Sequence, residues 1–306
     1  MKHLKKLFTH LVSFLLIVVI AILSLLPFRV LYLISDFIGF LLCDIIKYRK
    51  KVVLSNLNKA FPHNTLETNL EIARKFYKHL SDIIFETIAL ITASRKTIKR
   101  RIILTPESKE LLGMYHAQGR SAIMALGHFG NWEWMGPAIN LVNDGQLIAA
   151  YRRQRLKLLD YFLRKIRMRF YKVLVPSEHL IRKMVSMKTA KQPAVFALLA
   201  DQWPPTGSAH WVHFLGQDTP FFTGPEKLGK KLDYAVLFCS IRKMQRGRYS
   251  MSVFELALNP RSEPEMAITN SYASMLEQEI LQRPEFWLWS HRRWKWQRPT
   301  EHAVQE

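Results

Sequence analysis

A short apolar run followed at once by a glycine-containing turn constrains the fold of this chain more than any other feature. Ser121-Ala-Ile-Met-Ala-Leu126 has the length and composition of a buried strand, and Gly127-His-Phe-Gly-Asn-Trp-Glu-Trp134 leads into a segment without a helix breaker until Pro137. This pattern predicts a strand, a sharp turn and a helix. His128 then lies at the carboxyl end of the strand, and Glu133 lies in the first turn of the helix.

These two side chains can perform acid–base chemistry. A neutral imidazole accepts a proton from an alcohol when a carboxylate holds the ring and stabilises the cation that forms. His128 and Glu133 are five positions apart, too far for one helical face, but a turn at Gly127 and Gly130 can fold Glu133 back onto His128. Backbone N–H groups near Gly130 and Asn131 can hold an oxyanion. A histidine and a glutamate with purely structural roles fit the same spacing.

Composition bounds the fold and the class of partner. The chain has 306 residues, 49% of them hydrophobic, enough for one large α/β domain with an appendage. Its net charge of +21 predicts an anionic partner: nucleic acid, an anionic membrane surface or an acidic protein. Cys43 and Cys239 lie far apart in apolar segments, which predicts buried thiols rather than a disulfide.

The first 50 residues differ from the rest, so we predict a membrane anchor and interfacial helix at 1–50 and a catalytic domain at 51–306. Leu11–Leu26 is apolar apart from two serines and predicts an anchoring helix. Val30–Ile46 is also apolar but has one polar stripe, which favours a helix at the membrane interface or packed on the first. Lysines and arginines flank the pair at both ends, so the positive-inside rule places both ends in the cytoplasm and favours a hairpin or a shallow dip into the membrane over a single span.

Strand and helix patterns alternate through the remaining chain, which predicts a mixed, mostly parallel central sheet flanked by helices. The pattern of basic and apolar residues at 152–172 predicts a basic amphipathic helix that includes Arg167 and Arg169. Asp201 directly follows a buried strand, and ligands bind at such strand ends in α/β sheets. The predicted strands are Ser121–Leu126, Gln146–Tyr151, Lys172–Val175, Ala194–Ala200, Ala235–Ile241 and Tyr249–Leu256.

Several kinds of site are not indicated. The chain has no phosphate loop, no Rossmann glycine fingerprint and no cysteine-rich zinc pattern. His210 and His213 have a spacing seen in metal sites but lack a clear third ligand, so we expect neither a metal nor a cofactor.

A set of motifs in fixed order resembles the bacterial lipid A late acyltransferases, the lauroyl and myristoyl transferases of lipopolysaccharide synthesis. The resemblance covers about Leu11 to Lys295, and the motifs in this order are far more specific than any one motif alone. Its motifs are His128-Phe-Gly-Asn-Trp-Glu133, Tyr151-Arg152, Asp160 with Arg167 and Arg169, Asp201-Gln202, Phe222-Thr-Gly224 and Trp289-Ser-His-Arg-Arg-Trp-Lys295.

The resemblance implies a membrane-anchored enzyme at the cytoplasmic face of the bacterial inner membrane, with a fold like that of glycerolipid acyltransferases. His128 matches the catalytic histidine, Glu133 its carboxylate partner, and Arg167 and Arg169 the arginine-bearing block. Many members have Asp-x-Asp where this chain has Asp201-Gln-Trp203, so the role of the second acid does not carry over. We expect the substrate-binding residues to be Gly130, Asn131, Arg152, Arg167, Arg169 and Asp201.

The expected reaction moves a fatty acyl chain from an acyl carrier protein thioester, or from acyl-CoA, to a hydroxyl of a lipid A precursor. No serine or cysteine lies in a nucleophile elbow, which favours direct attack without a covalent acyl-enzyme. The acidic carrier protein and the acceptor's phosphates account for the positive charge without nucleic acid. An acyltransferase for another membrane lipid, and a non-catalytic basic binding protein, are the alternatives. The sequence does not give the oligomeric state.

Overall fold

The computed structural model describes residues 2–140, 146–151, 153, 157–170, 173–204 and 209–298. Arg152 lies outside this range, so its predicted contact with substrate has no structural counterpart here. The strands are β1 (Ile102–Leu104), β2 (Ala122–Leu126), β3 (Gln146–Tyr151), β4 (Val173–Pro176), β5 (Ala194–Leu199), β6 (Ala209–Phe214), β7 (Gln217–Phe222), β8 (Ala235–Gln245) and β9 (Arg248–Ala257).

Helices precede and separate these strands. They are α1 (Lys2–Leu25), α2 (Phe28–Phe40), α3 (Lys50–Ala60), α4 (Leu66–Ala89), α5 (Arg95–Arg101), α6 (Pro106–Ala117), α7 (Met135–Asn140), α8 (Lys157–Met168), α9 (Leu180–Thr189), α10 (Gly224–Leu232) and α11 (Ala267–Gln282). A π-helical turn, Leu41–Ile45, continues α2, and 3₁₀ turns occur at Trp132–Trp134, Ser177–His179, Pro260–Ser262 and Pro284–Phe286.

Seven strands form the central sheet in the order β1-β9-β8-β2-β5-β3-β4, with β8 and β9 antiparallel and every other neighbouring pair parallel. The predicted α/β class is therefore confirmed. All five residues of β2 are buried, as expected for a strand covered on both faces. Its residues alternate between the faces: Met124 packs in one hydrophobic cluster, while Ile123 and Ala125 pack in clusters on the other side.

The hairpin formed by β6 and β7 was not predicted, since the sequence there indicates only a loop. Its strands contain histidines, Gln217, Asp218 and a proline, and most residues of β6 are partly exposed. Such composition lacks the apolar alternation that marks a half-buried strand.

The N-terminal helix α2 packs on α4 through its small and polar side. Leu31, Ser35 and Gly39 are buried there, and a Cβ added at Gly39 would lie 3.3 Å from the Cα of Lys78. Ser35 donates a hydrogen bond to Asp82 at 2.9 Å. The predicted polar stripe therefore faces the protein.

Apolar side chains cover the opposite side of this N-terminal region. Leu33, Phe37 and Phe40 of α2 are exposed, as are Phe14, Ile22 and Leu25 of α1. Within the residues that the structure describes, no helix is both long enough and apolar enough to cross a membrane, so the expected spanning helix is not supported. Cys43 and Cys239 are buried and unpaired, as predicted.

Candidate active site

Two strand ends bring His128 and Asp201 together. β2 and β5 are parallel neighbours with Leu126 opposite Leu199, and the N–H of Ala200 donates to the carbonyl of Leu126. Parallel strands present their carboxyl ends at the same edge of a sheet. The residues two positions beyond each strand end, His128 and Asp201, are therefore adjacent although 73 positions separate them.

Asp201 holds the imidazole of His128 by a short hydrogen bond. The distance from His128 Nδ1 to Asp201 Oδ1 is 2.6 Å, and the other carboxylate oxygen accepts from the His128 backbone N–H at 2.8 Å. The indole N–H of Trp287 donates to that same oxygen at 2.9 Å. Burial by itself raises the pKa of Asp201, but the His128 imidazole and these N–H donors hold the pKa at about 2.

This arrangement assigns the tautomer of His128. An ionised carboxylate can only accept hydrogen bonds, so Nδ1 carries the proton and Nε2 keeps its lone pair. The side-chain amide of Gln202 lies 3.3 Å from Nε2 and donates to it. The edge of the Trp132 ring packs on the imidazole with centroids 5.1 Å apart. Nε2 is thus oriented to take a proton from a hydroxyl that replaces the Gln202 amide.

Glu133 has a different partner from the one predicted. Arg167 donates to both of its carboxylate oxygens, at 2.6 Å from Nη2 and 3.1 Å from Nε. The predicted contact between Glu133 and His128 is therefore replaced by the contact between Asp201 and His128. Glu133 and Arg167 instead connect the loop after β2 to α8. A catalytic role for Glu133 stays a prediction.

Both backbone polar groups of Gly130 form hydrogen bonds within the protein. Its φ is +61°, and an added Cβ would lie 2.1 Å from the carbonyl oxygen of Ile241, so no larger residue fits. Its N–H donates to the carbonyl of Phe286 at 3.1 Å. The imidazole of His79 donates to its carbonyl at 3.1 Å. The Gly130 N–H is therefore not free for the oxyanion predicted there.

Asn131 points into a buried polar network. The side chain is 0% exposed, and it donates to Glu86 at 2.5 Å. Glu86 also accepts from the hydroxyl groups of Tyr32 and Tyr249 at 2.8 and 2.7 Å. Burial raises the pKa of this carboxyl group. The Asn131 side chain thus binds the loop to α4. Its predicted contact with substrate would have to come from its backbone.

The two arginines expected to bind substrate are also engaged. Arg167 binds Glu133, and Arg169 Nη1 donates to the carbonyls of Leu90 and Ile91 at 2.6 and 2.5 Å. These contacts position α8 against the C-terminal end of α4. Phosphate binding by either arginine stays a prediction. Arg169 could bind phosphate through its Nε and Nη2 groups, because the two carbonyl contacts use only Nη1.

The segment after α11 closes the site from one side. Phe129 and Trp287 form an isolated antiparallel bridge, and Asn56 of α3 donates to the carbonyls of Trp289 and His291 at 2.8 and 2.7 Å. Arg293 is fully buried and donates to the carbonyl of Pro220 at 2.8 Å. The segment after α11 therefore supports Asp201 through Trp287, a role that the sequence alone did not indicate.

The described residues contain no group of three or more histidine, cysteine, aspartate or glutamate side chains placed to hold a metal ion. His210 Nε2 donates a hydrogen bond to the side-chain oxygen of Asn270 at 3.0 Å.

Comparison with known proteins identifies relatives of one kind. A family profile described as "Bacterial lipid A biosynthesis acyltransferase" matches residues 1–296. The chain is 23% identical over 274 residues to the lipid A biosynthesis palmitoleoyltransferase of Escherichia coli (strain K12), covering 88% of this chain and 86% of that protein. The lipid A biosynthesis acyltransferase of Shigella flexneri gives the same identity and coverage.

Proposed function

Because this chain belongs to the bacterial lipid A biosynthesis acyltransferase family and is an acyltransferase, we propose that His128 and Asp201 catalyse transfer of an acyl chain from a thioester to a hydroxyl of a lipid A precursor. The alternative of a non-catalytic binding protein is therefore wrong. The observation that supports this mechanism is the 2.6 Å contact between His128 Nδ1 and Asp201, which leaves Nε2 as the base.

In the proposed reaction, His128 Nε2 takes the proton of the acceptor hydroxyl while the oxygen attacks the thioester carbonyl carbon. Asp201 stabilises the imidazolium that forms. The tetrahedral intermediate then collapses, the carbon–sulfur bond breaks, and the leaving thiolate takes the proton from His128. The products are the acylated lipid and the free thiol, and the histidine returns to its neutral form.

The donor in this proposal is an acyl carrier protein thioester. Its support is the net charge of +21, which attracts an acidic carrier protein over several ångströms of solution. Acyl-CoA supplies the same thioester chemistry and is the competing donor. Acyl-transfer rates measured with both donors at low and moderate salt distinguish them. The rate with the carrier protein should fall as salt rises, because salt screens its electrostatic attraction to the enzyme.

We also propose that the apolar outer side of α1 and α2 rests on the cytoplasmic face of the bacterial inner membrane. The support is the row of exposed Leu33, Phe37 and Phe40, on the side of α2 opposite its protein contact. Helices of this kind lie in the interface without crossing the bilayer. Replacing the three side chains by serine should shift the protein from pelleted membranes to the supernatant, whereas serine at the exposed Met244, Phe254 and Leu281 should not.

The test of the function itself is acyl transfer by the purified protein. A lipid A precursor, a lysophospholipid and a glycolipid are each incubated with acyl carrier protein thioester, and the products are identified by mass spectrometry. We expect one added acyl chain on the lipid A precursor and none with His128→Ala. Acylation of only the lysophospholipid or only the glycolipid would contradict the proposed acceptor and show that the enzyme acts on that other class of lipid.

A further inference from the structure

A bend before α3 gathers positive charge around a cavity. The cavity has a volume of about 510 Å³ and is lined by Lys47, Arg49, Lys50, Lys51, Val52 and Leu54. Lys47, Arg49 and Lys51 are exposed. Four basic side chains and an apolar floor match the chemistry of a phosphorylated lipid, which offers phosphate oxygens next to hydrocarbon.

Most of this charge is not neutralised within the protein. Lys50 forms an ion pair with Asp44 at 3.2 Å. Among the residues that the structure describes, no carboxylate lies within 4.0 Å of the charged groups of Lys47, Arg49 or Lys51. Three cations therefore face solvent together, and their mutual repulsion favours an anion among them.

A series of contacts connects the helix that lines this cavity to the catalytic residues. Asn56, two helical turns further along α3, holds the backbone of Trp289 and His291, and Trp287 of the same segment bonds Asp201. Burial, with smaller contributions from the charges of Arg293, His128 and Arg49, lowers the pKa of His291 to about 4, although the charge of Asp201 opposes this shift. One side chain therefore lies within electrostatic range of both the catalytic histidine and the basic bend.

The arginines that the sequence indicates for phosphate already have protein partners, since Arg167 binds Glu133 and Nη1 of Arg169 binds two carbonyls. We propose that Lys47, Arg49 and Lys51 bind a phosphate of the acceptor lipid and so direct its hydroxyl toward His128. This inference rests on the proposed function, because it takes the acceptor to be a phosphorylated lipid.

The experiment uses the full-length variant K47Q/R49Q/K51Q in detergent micelles free of phospholipid. We expect the KM for a phosphorylated lipid A precursor to rise about tenfold, as loss of charge-assisted hydrogen bonds implies, with kcat within twofold. With the enzymatically dephosphorylated precursor, wild type and variant should have equal KM values. The matched control K96Q/K109Q/R182Q removes the same charge at exposed positions elsewhere and should leave KM unchanged.

The proposal is overturned if the triple variant has an unchanged KM, or if the control variant shows an equal rise in KM. It is also overturned if the KM values of wild type and variant still differ with the dephosphorylated precursor. A fourth contrary result is that the variant loses binding to phosphatidylglycerol vesicles while its KM in micelles is unchanged. The last would assign the bend to membrane headgroups. Direct binding of the phosphorylated precursor, measured without donor, gives a second readout. If wild type binds the lipid through these residues but transfers no acyl chain, the proposed function fails while this site stands.

Discussion

Two carboxylates flank the loop after β2, and their partners differ in one decisive property. Asp201 binds the imidazole of His128, a ring that can accept a proton on one nitrogen while the other donates. Glu133 binds the guanidinium of Arg167, which stays charged at every relevant pH. The first pair can therefore support proton transfer, whereas the second holds two elements together. A carboxylate near a catalytic histidine is thus not sufficient evidence of a catalytic role.

The environments of the two carboxylates agree with this division. The Asp201 side chain is 2% exposed and accepts hydrogen bonds from His128 and Trp287. The Glu133 side chain is 13% exposed and Arg167 is 21% exposed, so solvent partly screens that pair. Asp201 is fixed from several directions, whereas Glu133 is fixed by one bidentate contact.

The largest expected effect is on catalysis. Asp201→Asn should lower kcat by roughly 10²–10⁴, because the imidazole loses the anion that sets its tautomer and stabilises its cation. Asp218→Asn, on the exposed part of the β6–β7 hairpin, should leave kcat unchanged. The double variant with His128→Ala should lose little more than His128→Ala alone, since the two residues act as a unit. A kcat for Asp201→Asn within threefold of wild type would remove Asp201 from the mechanism.

Gly130→Ala should mainly affect folding. The added methyl meets the Ile241 carbonyl at a positive φ, and we expect a loss of about 2 kcal/mol or more in the free energy of unfolding. Gly113→Ala is the matched control, because nothing lies within 4 Å of a Cβ at that helical position. It should be neutral or stabilising. Thermal unfolding of both variants checks this, and a fully stable Gly130→Ala protein would show that the loop has room to move.

Removing Glu133 or Arg167 should have an intermediate effect. Glu133→Gln and Arg167→Gln should each lower stability, with a coupling energy between them of about 0.5–3 kcal/mol in a double-mutant cycle. The activity of each folded variant should fall by about tenfold or less, because proton transfer does not pass through this pair. Arg167→Lys should restore only part of the stability, since an ammonium cannot bind both oxygens in the same plane. A loss in Glu133→Gln equal to that in Asp201→Asn would restore Glu133 as a catalytic residue.

At neutral pH the smallest effect is expected at His79, a buried histidine that donates to the Gly130 carbonyl. Its complete burial, together with the positive charge of Lys243, lowers its pKa to about 3, while the unfolded chain binds a proton below about pH 6.5. Between those values the unfolded state holds the extra proton, so stability rises with pH and is lost as pH falls. His79→Gln keeps a donor for the Gly130 carbonyl but does not titrate. The free energy of unfolding, measured with urea between pH 6 and 4, should depend on pH less steeply in His79→Gln than in the wild type, by up to about 1.4 kcal/mol per pH unit. The control His116→Gln, at an exposed position, should retain the wild-type dependence.

The buried polar network around Glu86 was not predicted, although the sequence of α4 contains part of the evidence for it. His79, Asp82 and Glu86 recur at helical spacing on α4 beside Phe76, Ile83 and Phe85, so polar residues interrupt an apolar face. A polar residue on such a face predicts a buried partner. It does not identify the partner, which here comes from Tyr249 and Asn131 at distant positions.

By itself, the sequence determined the α/β class, six strands of the sheet, the position of His128 at a strand end and that of Asp201 at another. These follow from local patterns, because strands buried on both faces have continuous apolar runs and a sharp turn at positive φ favours glycine. Only the tertiary structure decided that β5 lies beside β2, and hence that Asp201 rather than Glu133 holds His128. The physical reason is that strand order joins residues far apart in the chain, whereas local spacing constrains only near neighbours.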